Sequence, residues 1–238
     1  PAGAPPGTVP VVRARKGTDE LPSRYVLATF DDTGTGPLVH TTDPDIFDSA
    51  VGALVATASG SCARHALAAA MSAVAVAEPG GVLFLFTNGT VADPDLAPAV
   101  TCLAASRNIR IFPLVLGSCG GVDPVYAAIA DATGGQMFTL SSGEGSSAAQ
   151  MIDVLVRENM VNLLFVTDAF SAAPEARTFA APVDATMTSV VFAVGGSTAV
   201  TVTRPDASTV LPSDPGVTVL ALSGGTIVSV AKPPVGSW

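Results

Sequence analysis

VLFLFTNGT, residues Val82 to Thr90, sets five consecutive large apolar side chains between Gly80-Gly81 and Asn88-Gly89. A run this short, rich in branched and aromatic residues and punctuated by glycine at both ends, reads as a strand rather than a piece of buried helix. It shows no polar alternation, so the expected strand is buried on both faces, as a central strand of a parallel sheet is. In open α/β sheets ligands collect beyond the carboxyl ends of the strands. Thr87, Asn88 and Gly89 therefore stand where function is expected.

The flanking chain fits that reading. Tyr25 to Phe30 (YVLATF) is strand-like and runs into the turn signal Asp31-Asp32-Thr33-Gly34, after which Leu38 to Thr41 returns as an edge partner carrying His40. Asp43-Pro44 opens a helix, because the aspartate oxygen accepts from orphan backbone donors and proline loses nothing at the first helical position. Ile46, Phe47, Ala50, Val51 and Leu54 follow at helical spacing, and a second helix carries Ala63, Ala66, Leu67, Ala70, Met71 and Val74 until Pro79-Gly80. Beyond the central stretch come a helix from Asp93 with Leu96, Val100 and Leu103 inward, and a strand over Ile109 to Leu116 blemished by Pro113. Then follow a helix from Pro124 to Ala132 ended by Gly134, a strand over Gln136 to Leu140, and a helix over Ser147 to Asn159. This alternation predicts an α/β fold with a doubly wound, mostly parallel sheet.

After Val161 the pattern changes to short strand-like runs at Leu163 to Val166, Thr178 to Val183, Thr188 to Val194, Ala199 to Arg204, Val217 to Ala221 and Thr226 to Val230. Gly, Pro, Asp and Ser clusters separate them, which predicts a small all-β, sandwich-like module. The expected organisation is therefore residues 1–24 as linker or disordered chain, with only Val9 to Val12 able to make a strand, an α/β domain over 25–160, and the β-module over 161–238, ending as if truncated.

A net charge of -9 and a sequence pI near 4.4 argue against nucleic-acid or anionic-membrane partners, which need a basic surface. The nearest apolar run to a membrane helix, Ala66 to Ala77, falls short of the roughly 20 residues required. Pro1 is not an initiator methionine, which reads as a processed chain or a fragment.

Cys62, Cys102 and Cys119 leave two readings open: one bridge and one free thiol in an exported protein, or three buried thiols in a cytosolic one. Cys102, inside an amphipathic helix, reads as a core residue. Cys62, His65 and Cys119 lack a convincing fourth zinc ligand, and a Cys-His nucleophile pair lacks an orienting third group. Asp31-Asp32 and Asp43-Asp45 read as turn and helix-start residues rather than acid and base. The glycine pairs open no helix in the manner of a phosphate cradle, which argues against a degenerate nucleotide-binding enzyme. Asn88-Gly89-Thr90 is a glycosylation sequon.

The order of these signals resembles a von Willebrand factor type A domain of the hemicentin-like kind, followed by its companion β-module. The matching stretches are YVLATFDDTGTGPLVHTTDPDIF, ASGSCARHALAAAMSAV, VLFLFTNGTVADPDL, IRIFPLVLGSCGG, ATGGQMFTL and IVSVAKPPVGSW. The resemblance implies a non-enzymatic, extracellular or secreted module whose partners are matrix or cell-surface proteins. It also implies a disulfide between Cys62 and Cys119, whose loops the topology brings to one edge of the sheet. Type A domains commonly hold magnesium or calcium through an Asp-x-Ser-x-Ser loop, a later Thr or Asp, and an Asp after the central strand. Here the first loop is absent together with the family's first strand, Ser61 stands at the second position, and Asn88 replaces the third. The implied metal site is thus degenerate, built on Ser61 and Asn88. No cofactor is expected unless upstream sequence supplies that strand, which would restore a metal-dependent adhesion domain.

Overall fold

The structure, a computed structural model, describes residues 8–15, 24–55, 65–119, 122–141, 143–156, 160–167, 176–196 and 199–238. The chain divides into two compact units, Leu21–Met137 and a second made of Pro1–Glu20 with Phe138–Trp238.

The first strand, β1 (Thr8–Arg15), takes in Val9 to Val12, the run allowed as a strand, and extends past it, so the linker expectation is corrected over these residues, while 1–7 and 16–23 lie outside the described residues. Its flanks are rich in Pro and Gly, but VPVVRAR carries enough branched side chain to pair as a strand. Its register shifts between Thr8 and Val11, the interval holding Pro10, which has no N–H to give a ladder.

In the unit Leu21–Met137, β2 (Tyr25–Phe30) and β3 (Thr35–Thr41) form an antiparallel hairpin. Helix α1 (Pro44–Gly52) starts as its sequence dictates, with Asp43 accepting from the Asp45 N–H at 2.9 Å and proline in the first turn. Helix α2 (Ala66–Val76) buries Ala66, Leu67, Ala69, Ala70, Ala73 and Val74, and small residues on this face let it lie close to its neighbours. Ala63 lies outside the described residues. Strand β4 (Val82–Gly89) runs parallel to β5 (Arg110–Cys119), with Val82 opposite Arg110 and Phe86 opposite Leu114. Pro113 stands opposite Leu85 without a break, and the register shift falls later, between Thr87 and Gly89. Between them a 3-10 turn (Pro94–Leu96) leads into α3 (Ala97–Ser106). After β5, α4 (Pro124–Thr133) ends on Gly134 in the left-handed conformation.

Leu67, Val74, Val100, Ala104, Ile109, Ile111 and Ile129 make one core cluster of this unit. Leu85, Val115 and Tyr126 form another, with Phe30 packed against it. Two expectations about burial fail. β4 is not covered on both faces: Val82, Leu83 and Phe84 are half-buried and Phe86 is 43% exposed. Among the described residues its ladder partner within this unit is β5, while β2 pairs with β3 in a separate sheet, so the second neighbour that a fully buried strand needs is not there. Cys102 is exposed, not core, because Val100 and Ala104 take the inward face of α3 and residue 102 points away from both.

The second unit adds β6 (Phe138–Leu140), α5 (Gly145–Val156), β7 (Met160–Thr167), β8 (Pro182–Val183), β9 (Ser189–Gly195), β10 (Val217–Leu222), β11 (Gly225–Ala231) and β12 (Gly236–Ser237). Five strands pair antiparallel in the order β10-β11-β9-β1-β7, so β1 sits between β9 and β7. Of the run expected over Thr178 to Val183, Pro182–Val183 is strand and pairs with β12; the run Ala199 to Arg204 contributes a single bridge, Thr203 to Thr209. Trp238 closes the core, its ring 5.7 Å from that of Phe192 and its indole N–H donating to the Pro234 carbonyl.

This division does not coincide with the boundary expected at 160/161. The segment with β6 and α5 is tied to the β10–β11 turn: Thr139 bridges Gly224, and the Glu144 carboxylate takes the Ser223 N–H and hydroxyl. The end of the expected helix, residues 157–159, lies outside the described residues.

Candidate functional site

The carboxyl end of β4 is organised by aspartates that answer backbone N–H groups. Helix α2 begins at His65, whose side chain gives no cap, and the Ala68 N–H is instead taken by Asp93 Oδ2 at 2.8 Å, from the loop after β4. A carboxylate there satisfies an orphan donor and sits favourably at the positive end of the helix dipole. Asp123 does two tasks: Oδ1 caps α4 through the Val125 N–H at 3.0 Å, and Oδ2 accepts from the Val91 N–H at 3.2 Å. Asp31 Oδ1 takes the Thr33 N–H and hydroxyl, both at 2.7 Å, and the Gly34 N–H at 3.0 Å, while its carbonyl accepts from the His65 N–H. The Thr33 hydroxyl and N–H hold the Asp31 carboxyl below its ordinary value, with smaller help from Gly34 and from His65.

Under these loops Thr87 is buried, its Oγ1 3.3 Å from the Tyr126 hydroxyl, and the Gly89 N–H points at the same Oγ1. Burial pushes the Tyr126 phenol up, and Asp123 and Asp93 push the same way, against the hydrogen bond from Thr87. The phenol thus stays neutral at ordinary pH, paired with the Thr87 hydroxyl. The pair stitches β4 to the first turn of α4.

Of the residues marked by the sequence, Asn88 lies exposed at this rim. Cys119 stands opposite Gly89 in the ladder, at the same end of the sheet. His65 opens α2 beside Asp31. Ser61 and Cys62, and with them the expected pairing and the second metal position, lie outside the described residues. Asp93 and Asp123 were not marked for these roles. Their signal was partly legible, since three of the four Asp-Pro pairs, Asp43-Pro44, Asp93-Pro94 and Asp123-Pro124, open a helix or helical turn, whereas Asp214-Pro215 sits in the turn before β10.

The donors described at this rim do not fit a tightly held magnesium or calcium ion. Asp31, Asp93 and Asp123 already accept from backbone N–H groups, Asn88 offers a neutral amide, and among the described residues no three Asp, Glu, His or Cys side chains group as ligands. Asp93 Oδ1 is buried without a hydrogen-bond partner, but one orphan oxygen falls short of the six or more that either ion requires.

A parallel strand pair packed with helices, with loops converging on its carboxyl rim, is an α/β arrangement, and residues 5–142 match the family model for the von Willebrand factor A domain. The chain belongs to that family, and it is hemicentin-like. It is 26% identical to mouse hemicentin-2 over 202 residues, covering 83% of this chain and 4% of that protein. To human hemicentin-1 it is 24% identical over 220 residues, 90% of this chain and again 4% of the relative. Human von Willebrand factor A domain-containing protein 7 is 30% identical over 140 residues, 53% of this chain and 16% of its own length. The chain therefore spans a small part of each of these relatives. No solved structure matches it. Among the described residues no helix is long and apolar enough to cross a membrane.

Proposed function

We propose that this chain is a non-enzymatic, extracellular protein-binding or structural module, engaging matrix or cell-surface proteins and carrying a degenerate metal-ion site at Ser61 and Asn88. The observation that carries the reading is the use of the rim carboxylates: Asp31, Asp93 and Asp123 each accept from backbone N–H groups that hold loops and helix starts together, a structural task for each of them. Family membership and the hemicentin likeness support the same reading. A Cys62–Cys119 bridge belongs to it, and Asn88 is its candidate glycosylation position. The test is a turnover screen of the full chain against hydrolase and oxidoreductase substrates, run beside binding to immobilised matrix proteins in EDTA. Binding without turnover is expected; turnover abolished by Thr87→Ala or Tyr126→Phe refutes the assignment.

One observation favours a second reading, a metal-dependent adhesion domain completed by a strand from beyond residues 1–238. Within the unit Leu21–Met137 the β2–β3 and β4–β5 ladders are separate, and among the described residues neither β2 nor β4 has a partner on its other edge there. Calorimetry on a longer chain separates the two: magnesium heat lost in Ser61→Ala supports the second, and no heat at millimolar ion supports the first.

A further inference from the structure

At the end of the β4–β5 pair opposite the rim, the first ladder position sets Val82 beside Arg110. Their neighbours Leu83 and Ile111 pack with the helices, so strand alternation turns Val82 and Arg110 to the other face of the pair. Phe84 and Phe112 follow two residues on along that face, their rings stacked with centroids 5.5 Å apart. The Arg110 guanidinium therefore stands at the end of an apolar row. Its charge is unanswered: Nη1 is buried with no acceptor, and among the described residues no carboxylate pairs with Arg110. Arg107 differs, since its Nη2 donates to the Ala77 carbonyl at the end of α2. The carboxylate next along the chain, Glu78, is held by Arg24 at 3.3 Å. Burial pulls the Arg110 guanidinium below its ordinary value, yet an arginine keeps its proton. A desolvated cation without a counter-charge is costly to a fold. The residue as a whole is half-buried, which leaves an approach from solvent.

We propose that Arg110 anchors a binding site for an organic carboxylate, the guanidinium fork taking the carboxylate while the row begun by Val82 and Phe84 takes an apolar or aromatic body attached to it. A carboxylate matches the fork in shape and carries the single charge that one arginine neutralises. Inorganic sulfate or phosphate is multiply charged and gains nothing from the apolar row. The same chemistry is offered by a free acid or by a Glu side chain set among apolar residues of a protein partner. The site goes beyond the binding-module reading, which rests on the carboxyl rim, and either can fail without the other.

The probes are phenylacetate, with phenylacetamide and sulfate as controls, and the peptide acetyl-Phe-Glu-Phe-amide with its Gln counterpart. Each is titrated calorimetrically into the full 238-residue chain. Arg110→Met removes the charge at similar volume, and Arg177→Met removes an exposed arginine of the second unit. The expected result is saturable binding of an acid that weakens about tenfold or more in Arg110→Met and is unchanged in Arg177→Met. Binding of phenylacetate assigns a free acid as sufficient, and binding of the Glu peptide alone assigns a protein side chain. Arg110→Met should also melt no lower than the parent, because an apolar side chain there removes an unpaired charge. Melting below the parent would show that Arg110 already has its counter-charge within the chain and would overturn the proposal. So would saturation by neither acid at millimolar concentration, binding of the amide or Gln peptide equal to that of the acid, sulfate binding as tight as phenylacetate, or acid binding indifferent to Arg110→Met.

Discussion

Glu144 and Ser223, 79 residues apart in sequence, are joined by two hydrogen bonds: the Ser223 N–H donates to Oε1 at 2.7 Å and its hydroxyl to Oε2 at 2.6 Å. The Ser141 N–H donates to the same carboxylate, also at 2.6 Å. One side chain thus fastens the start of α5 to the β10–β11 turn.

These bonds, the Ser223 hydroxyl foremost and then the Ser141 N–H, lower the Glu144 pKa to about 2. A carboxyl whose folded pKa lies below its unfolded value stabilises the fold above the unfolded pKa, near 4.5, and loses that contribution as pH falls toward 2. The group is exposed, so solvent screening limits the effect to under about 1 kcal/mol. Glu144→Gln should lower the urea midpoint at pH 7, and the gap to the parent chain should close between about pH 4.5 and pH 2. A gap that is constant with pH contradicts the account.

Gly135 is buried against β5, where an added Cβ would lie 1.7 Å from the Ile111 carbonyl oxygen and 2.6 Å from its carbon. Backbone cannot yield as a side-chain end can, so Gly135→Ala should cost about 2–4 kcal/mol or prevent folding. Gly143, with nothing within 4 Å of the same construction, is the control, and Gly143→Ala should stay within about 0.5 kcal/mol in chemical denaturation.

Asp93 serves a helix that is not its own. Asp93→Ala should lower stability by about 1 kcal/mol and speed hydrogen exchange at Ala68, while Asp93→Asn, which keeps an acceptor, should lose less. Equal exchange at Ala68 in all three chains would remove Asp93 from that role.

Cys102 stands exposed on α3, so the native chain should react with a thiol reagent there without denaturant, and Cys102→Ser should change stability by no more than about 0.5 kcal/mol. The proposed Cys62–Cys119 bridge should appear as one linked peptide under non-reducing digestion. Reduction should destabilise the chain by up to about 4 kcal/mol, the nominal entropy of closing so long a loop. Three freely reacting thiols would contradict the bridge.

Local chemistry was the readable part of the fold. Asp43-Pro44 fixed the start of α1, Gly134 the end of α4, and the branched and aromatic runs the positions of β4 and β5, because caps, turns and strand propensity act over a few residues. What failed was decided at long range. The burial of Phe86 depends on whether a strand lies beside β4, which a window of neighbours does not contain; the exposure of Cys102, by contrast, was readable locally, since it lies two residues from the inward-facing Val100. Pairing of Thr8–Arg15 with strands 145 to 182 residues later is likewise invisible in a segment whose flanks look like linker. At the rim, the Asp-Pro pairs announced helix starts, but that Asp93 caps α2 rather than its own helix follows only from the packing of two loops.

The most direct test of the central claim, a binding module whose rim no longer holds its ion, is a Mg2+ and Mn2+ titration of the full chain, followed calorimetrically and by Mn2+ relaxation of the amides near Asn88. The account predicts no saturable binding up to millimolar ion and no selective broadening at Asn88, Asp93 or Asp123. A saturable site of one ion per chain, lost in Asn88→Ala or Ser61→Ala, would contradict it.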